Sequence, residues 1–304
     1  MHLYIYLKLL TNTITVFYSI HYRSFLALLI ISLLSGLSSY SSVQAVSLSE
    51  DDVNDSTQSV TRHSEVEVSL LKIAKQVTVR ILTNSGTGSG VIIKRDRQTY
   101  TVLTNHHVVA DSPEKGYQVI TCDGQLYQAR GISQGNFGSL DLALVEFTSN
   151  LDYQVVVFGK SQAFSDDEIV YSAGFPAWHF TFNEDIITKF EETRSWGIKA
   201  FKLTTGNLKT QLQKTLVGGY KIGYTNDVIQ GMSGGPLLNQ NGELIAINGL
   251  LKYPFQGIKA LTFTDGTVPD EQLFQQMEAL SWAIPITDIH SLLTKQKILN
   301  EFGL

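Results

Sequence analysis

Short runs of β-branched and aromatic residues recur from residue 77 onward, about ten residues apart, with glycine, asparagine or aspartate between them. Such runs are typical of short β-strands joined by tight turns. The sequence therefore predicts an all-β sandwich or barrel. The predicted strands are Val77–Ile81, Gly90–Ile93, Tyr100–Thr104, Tyr117–Ile120, Leu140–Phe147, Tyr153–Phe158, Glu168–Ser172, Gly242–Ile247 and Leu261–Phe263.

Helical periodicity is confined to three other segments. Residues 66–75 repeat apolar side chains at helical spacing, and Ser64 with Glu67 has the spacing of a capping box. Pro269–Leu280 and Ile286–Leu299 show the same periodicity further along the chain. We expect a short N-terminal helix before the sheets and a C-terminal helix after them.

The N-terminal segment 1–45 is predicted to be an export signal. Its apolar run, Phe25–Leu34, follows basic residues and precedes a small-residue cleavage pattern ending at Ala45. The run is shorter than the roughly 20 residues that span a bilayer. We expect a periplasmic or secreted protein, cleaved near Ala45. An uncleaved anchor is the alternative, and membrane association is expected only in that case. Residues 46–63 are polar and acidic, which predicts a flexible linker.

Composition narrows the class of protein. Apolar residues make up 43% of the 304-residue chain and charged residues 17%, enough to bury a sizeable core. The net charge of −5 gives no reason to expect nucleic acid as a partner. Cys122 is the one cysteine, so no disulfide can form within the chain, and we interpret it as structural.

The segment Gly231–Leu237, Gly-Met-Ser-Gly-Gly-Pro-Leu, places a serine on a glycine-flanked turn before an apolar run. Glycine permits the close backbone approach that such a turn needs. The backbone N–H groups of Gly231 and Ser233 would then be placed to stabilise an oxyanion. A plain loop between two strands is the alternative, so the interpretation depends on finding a base and an acid elsewhere.

Two adjacent histidines, His106 and His107, follow a predicted strand within Thr104–Val109. A metal-binding pair is one alternative, but neighbours on a strand point to opposite faces, and no H-E-x-x-H or C-x-x-C motif occurs. We therefore predict no metal site. A general base is the better interpretation, because the pKa of histidine lies near neutrality.

Asp141 is a carboxylate in an otherwise apolar predicted strand. A buried charge is costly unless it is paired, and an imidazole N–H supplies a donor. Capping of a turn is the alternative. Histidine, aspartate and serine in an all-β chain together indicate nucleophilic catalysis.

These three segments resemble the trypsin/chymotrypsin superfamily, and most of all its bacterial, disulfide-free branch, which includes the HtrA-like proteases. The matching segments are Thr104–Val109, Asp141–Val145 and Gly231–Leu237, and the match selects His107 over His106. Asn241–Asn248 and Trp282–Pro285 resemble further strands of that family.

The resemblance implies two packed six-stranded antiparallel β-barrels with the catalytic cleft between them. The first barrel, 64–160, would carry His107 and Asp141, and the second, 161–304, would carry Ser233. The implied activity is that of a serine endopeptidase acting on polypeptides through an acyl-enzyme, without metal or cofactor.

Two departures from that family stand out. Met232 occupies the position where zymogen-activated trypsins have an aspartate, so we expect activity without a freed N-terminus. The chain also ends soon after the matching region, so we expect no peptide-binding PDZ domain.

Specificity rests on residues of the implied substrate pocket. Asp227 precedes Ser233 at the offset where trypsin has its pocket-floor aspartate, which would favour lysine or arginine; a turn residue is the alternative. Ile247, Asn248 and Gly249 are expected along the pocket wall. The aliphatic Ile247 near the position of the histidine in glutamyl-specific relatives argues against acidic specificity.

Two other functions stay open at this point. One is a non-catalytic binding protein on a protease fold, and the other is an esterase or acyl transferase with the same three residues.

Overall fold

The computed structural model describes residues 67–84, 86–110, 116–132, 137–159, 167–183 and 186–295. The predicted signal peptide, the linker and Ser64 of the capping box lie outside these residues and stay predictions.

The first closed barrel consists of consecutive strands of the first half of the fold. Its order is β1-β2-β3-β6-β5-β4, and every pairing is antiparallel. Its interior is lined by β-branched and aromatic side chains that are fully buried, as the strand pattern predicts. The strands are β1 (Thr78–Leu82), β2 (Thr87–Asp96), β3 (Thr99–Thr104), β4 (Tyr117–Ile120), β5 (Leu126–Gly131) and β6 (Ala143–Thr148).

A second closed barrel follows, in the order β10-β11-β14-β13-β12-β7, with a separate hairpin of β8 and β9. Two closed six-stranded antiparallel barrels confirm the predicted fold class. The remaining strands are β7 (Ile169–Gly174), β8 (Trp178–Asn183), β9 (Ile186–Glu192), β10 (Lys202–Gln211), β11 (Ile222–Tyr224), β12 (Pro236–Leu238), β13 (Leu244–Leu250) and β14 (Ser281–Pro285).

The helices are short. They are α1 (67–77), α2 (His106–Val109), α3 (Glu271–Glu278) and α4 (Ile286–Lys295), with 3-10 turns at Arg194–Ala200 and Gly257–Leu261. The predicted N-terminal and C-terminal helices are confirmed as α1 and α4, and residues 296–299 lie outside the described part. No helix in the described ranges is long and apolar enough to cross a membrane.

Helix α1 precedes the first barrel in the chain but packs on the second. Leu70 and Ala74 are buried in one apolar cluster with Leu238 and Leu244. Ile73 packs on Gly242, where a Cβ would lie 3.1 Å from its Cγ2.

Two predicted strands are wrong. Tyr153–Phe158 crosses between the barrels instead of joining a ladder: Val156 N–H donates to Ile92 O at 2.9 Å, and Val157 O accepts from Leu244 N–H at 2.8 Å. Leu261–Phe263 ends a 3-10 turn, and Phe263 forms only an isolated bridge. A segment that changes partners within a few residues has apolar side chains but no continuous strand beside it.

Candidate active site

His107 and Asp141 lie in direct contact. His107 Nδ1 is 2.6 Å from Asp141 Oδ2, and the His107 backbone N–H donates to Asp141 Oδ1 at 2.9 Å. The His107 side chain is 50% exposed and that of Asp141 only 18%. The imidazole is therefore partly accessible to solvent, while its Nδ1 is held by a mostly buried carboxylate.

The local backbone differs from the prediction at Asp141. The histidines follow strand β3, as predicted, and they form the single turn of α2. Asp141 precedes β6 and lies outside it, because its chain is diverted to the second barrel: its N–H donates to Gly218 O at 2.8 Å. The Asn105 amide donates to the Asp141 carbonyl at 2.8 Å, which fixes the segment from the histidine side.

The pKa of Asp141 reflects opposing effects. Burial raises the pKa. The hydrogen bond and charge of His107, followed by the hydrogen bond from the Tyr220 hydroxyl, together lower the pKa by more than burial raises it. The net pKa lies below the ordinary value, so Asp141 is an anion over the neutral range.

Tyr220 was not anticipated from the sequence. Its hydroxyl donates to Asp141 Oδ2, and the residue is only 2% exposed. Burial, and then the Asp141 charge, raise the pKa of Tyr220 well above its ordinary value. Its hydroxyl therefore stays protonated and acts as a donor.

Ser233 lies on its turn with its side chain nearly buried. The hydroxyl donates to Gly249 O at 3.2 Å, and not to His107. The next residue, Gly234, packs so closely on the first barrel that a Cβ would overlap Ser89 O and lie 3.0 Å from Asn105 N. The serine turn thus rests against the segment that leads into His107.

Carbonyl groups of the backbone around Ser233 accept hydrogen bonds from neighbouring backbone N–H groups. Gln230 O accepts from Ala177 N–H at 2.7 Å, and Met232 O accepts from Gly235 N–H at 3.1 Å. The N–H of a trans peptide points away from its carbonyl. The N–H groups of Gly231 and Ser233, which have no acceptor in the described residues, therefore point away from these contacts.

Ser89, from β2 of the first barrel, holds the same turn. Its hydroxyl donates to Gly231 O at 2.8 Å and accepts from Phe175 N–H at 2.8 Å. Its backbone N–H donates to Ser233 O at 2.9 Å. Ser89 is fully buried, and the sequence analysis missed this role. Its place in a Gly-Ser-Gly segment is the only sequence signal.

Arg80 supports the turn from further away. Its guanidinium is fully buried and donates to Thr193 O and Thr193 Oγ1, both at 2.8 Å. Thr193 in turn bonds to Pro176 O and, through its N–H at 2.9 Å, to Ala177 O. Burial, with the charge of Arg194 second, lowers the pKa of Arg80 to about 10, which leaves it charged at neutral pH. The segment that binds Gln230 O is thus fixed to the first barrel.

The predicted pocket residues lie in three different environments. Gly249 contacts Ser233 through its carbonyl. Ile247 and Asn248 are fully buried in the second barrel, where the Asn248 amide oxygen accepts from Tyr224 at 2.8 Å. The Asp227 side chain is 73% exposed and pairs with Lys252 Nζ at 2.8 Å.

No group of three or more histidine, cysteine, aspartate or glutamate side chains in the described ranges is arranged to hold a metal ion.

A two-barrel fold with a carboxylate-paired histidine on one barrel and a glycine-flanked serine on the other is the arrangement of a class of hydrolytic proteins. The family described as "Trypsin-like peptidase domain" matches residues 88–247, just over half of the chain. The chain belongs to this family.

Curated relatives are serine proteases of the HtrA type. "Serine protease Do-like HtrA" of Bacillus subtilis is 28% identical over 171 residues, which are 55% of this chain and 34% of that protein. The protein of the same name from Lactobacillus helveticus is 26% identical over 216 residues, 69% of this chain and 44% of that protein. The chain spans less than half the length of these relatives.

Solved structures show the same fold. An inactive mutant form of Rv3671c from M. tuberculosis H37Rv has a TM-score of 0.51 and 18% identity, and the match covers 77% of this chain and 93% of that one. The serine endoprotease from Yersinia pestis has a TM-score of 0.50 and 20% identity, covering 75% of this chain and 65% of that one.

Proposed function

We propose that this chain is a serine endopeptidase in which Ser233 is the nucleophile, His107 the general base and Asp141 the acid that orients the imidazole. The observation that carries the proposal is the 2.6 Å contact of His107 with Asp141, together with a serine turn in which the carbonyl groups of Gln230 and Met232 are hydrogen-bonded elsewhere. The homologous relatives, which are named serine proteases, support it.

The proposed reaction needs only residues of the chain. Rotation of the Ser233 hydroxyl away from Gly249 O brings it to His107, which takes its proton as the oxygen attacks the scissile carbonyl carbon. The N–H groups of Gly231 and Ser233 stabilise the oxyanion. His107 then protonates the leaving amine as the C–N bond breaks. A water molecule then loses a proton to His107 as its oxygen attacks the acyl carbon, and His107 returns that proton to Ser233 Oγ as the acyl C–O bond breaks.

Met232 bears on how the proposed activity is switched on, and Asp227 bears on its substrate specificity. Met232 is fully buried in an apolar cluster of the second barrel, so the turn is stabilised by packing and we propose activity without a freed N-terminus. The exposed, Lys252-paired Asp227 does not resemble a pocket floor, so basic specificity forms no part of the proposal.

Covalent labelling by a fluorophosphonate tests the proposal. We expect the label on Ser233, and a labelling rate lower by on the order of 10²–10⁴-fold in His107→Ala, because the base is lost. The matched control is His106→Ala, which removes an exposed neighbour on the same turn without touching Asp141 and should label at the wild-type rate.

Unfolded casein and a nitrophenyl ester serve as substrates for the same variants. Wild-type cleavage of casein that disappears in Ser233→Ala supports a peptidase. Hydrolysis of the ester alone would contradict it in favour of an esterase. A wild-type chain that neither labels nor hydrolyses would be a non-catalytic binding protein.

A further inference from the structure

We propose that Tyr220 is a positioning residue for the His107–Asp141 pair and that Gly249 is glycine because the Tyr220 ring occupies its side-chain space. This inference rests on the proposed function, since it gives Tyr220 a part in the reaction of Ser233.

The first support is the set of donors around the Asp141 carboxylate. Oδ1 accepts from the His107 backbone N–H at 2.9 Å, and Oδ2 lies 2.6 Å from His107 Nδ1. The Tyr220 hydroxyl donates to the same Oδ2. Three donors from two directions prevent the carboxylate from rotating about its Cβ–Cγ bond, and they therefore fix the orientation of the imidazole.

The second support is the space around the ring. A Cβ on Gly249 would overlap the Tyr220 ring and hydroxyl. A Cβ on Gly218 would lie 2.8 Å from Tyr220 Cε2 and 3.3 Å from Asp141 Cβ. Gly249, which is remote from Tyr220 in the chain, and Gly218, two residues before it, thus leave out side chains where the ring passes to reach Asp141.

The third support is the way in which the backbone directs the ring. Leu216 N–H donates to Tyr220 O at 3.0 Å, and Gly219 N–H donates to Leu216 O at 3.0 Å. This closed turn includes Gly218, whose carbonyl accepts from Asp141 N–H at 2.8 Å. The turn therefore binds the backbone of Asp141 and directs Tyr220 to its side chain.

The hydroxyl keeps its proton throughout the working range of pH. The titratable groups that act on it are Asp141 and Tyr224, and His107 Nδ1 contacts the same Asp141 oxygen, Oδ2, that the Tyr220 hydroxyl contacts. Burial and the Asp141 charge both keep the pKa of Tyr220 raised. Tyr220 is then a permanent donor that takes part of the negative charge of Asp141 without titrating.

Tyr220→Phe tests the assignment because it keeps the ring and removes only the donor. We expect kcat on a peptide substrate to fall about tenfold, the size of one hydrogen bond to a charged group. KM should stay within about twofold, because ground-state binding does not use Asp141. The acid limb of the kcat/KM profile should move to higher pH, because a carboxylate with one donor fewer attracts the imidazolium more strongly.

Tyr100→Phe is the matched control. It removes another fully buried hydroxyl, which donates to Leu151 O at 2.8 Å in the first barrel, away from Asp141. It should lower the thermal midpoint but leave kcat and the acid limb unchanged.

A second readout does not depend on turnover. The ¹H resonance of the proton between His107 Nδ1 and Asp141 Oδ2 should move in Tyr220→Phe and not in Tyr100→Phe. If this resonance and the acid limb are unmoved and kcat stays within twofold, Tyr220 has only a packing role and the inference fails. An inert wild-type chain would overturn the proposed function, while the resonance would still decide the role of Tyr220.

Discussion

The two sides of the candidate site are held by different means. On the second-barrel side, Ser233 is fixed by backbone hydrogen bonds, and the turn fits because glycines leave out side-chain atoms. On the first-barrel side, His107 is fixed by side chains, through the Asp141 carboxylate. We therefore expect added side-chain atoms to damage the second-barrel side, at Ser233, and loss of charge to damage the first-barrel side, at His107.

The largest effect is expected at Gly234. Gly234→Ala puts a Cβ onto Ser89 O and Thr104 Oγ1 and within 3.0 Å of Asn105 N, all of which are fixed. We expect the free energy of unfolding to fall by at least about 3 kcal/mol, in the range of severe overpacking. Urea unfolding measures the loss, and residual activity should be undetectable.

Gly266→Ala is the control for backbone strain. Gly266 has the same φ of +83° as Gly234, but no atom lies within 4 Å of its Cβ position. Gly266→Ala should lower the free energy of unfolding by only about 1 kcal/mol, because alanine is strained in the left-handed conformation but meets no neighbouring atom. Equal losses in the two variants would show that contact with the first barrel is unimportant.

A smaller effect is expected at Ser89, whose side chain hydrogen-bonds directly to the serine turn. Ser89→Ala leaves Gly231 O and Phe175 N–H without their partner, and we expect the free energy of unfolding to fall by about 1–3 kcal/mol. We expect kcat to fall about 10²-fold, comparable to loss of an oxyanion donor. Inhibition by a peptide boronate should weaken more than KM rises, because the oxyanion site matters most for the tetrahedral state.

Thr78→Val provides the comparison for Ser89. It removes a fully buried hydroxyl that has no hydrogen-bond partner in the described residues. Stability should be unchanged or higher and activity equal to wild type. If Ser89→Ala behaves in the same way, the hydroxyl does not hold the turn.

The smallest effect is expected at Asp141, on the first-barrel side. It concerns how the free energy of unfolding depends on pH. Its pKa in the folded protein lies below the ordinary 3.8, mainly through His107 once the opposing burial is overcome. A depressed carboxyl pKa contributes stability above pH 3.8 that is lost as the pH falls through the folded value. Asp141→Asn should therefore lower the free energy of unfolding at pH 7 by about 1–3 kcal/mol, and the two proteins should converge in acid.

Asp227→Asn is the surface counterpart. Its side chain is 73% exposed and pairs with Lys252, so the change should cost less than about 1 kcal/mol at any pH. A gap between wild type and Asp141→Asn that stays constant from pH 7 to pH 2 would contradict the charge argument.

The part of the fold that could be predicted from the sequence is the part set by local pattern. β-branched runs gave strands of both barrels, and helical spacing gave α1, α3 and α4. The strands β5 and β10 were missed because polar residues fill them and their burial is partial, so no apolar alternation appears. The hairpin of β8 and β9 was missed as well.

The candidate site divides in the same way. His107, Asp141 and Ser233 lie in recognisable segments, whereas Tyr220 and Ser89 act through partners far away in the chain. The role of Tyr220 depends on Asp141 and Gly249, and that of Ser89 depends on Gly231 and Phe175. A single sequence does not reveal such pairs, because the empty space at one residue is defined by the side chain of another.

The packing of α1 has a consequence for synthesis. The helix leaves the ribosome before β1, yet its docking surface includes Gly242 and Leu244, which are translated much later. A nascent chain can close its first barrel early, but the surface around Gly242 on which Ile73 packs emerges only with the second barrel. Ser233 emerges just ahead of that surface, so a partial chain that stops before Ser233 has neither this docking surface nor the nucleophile.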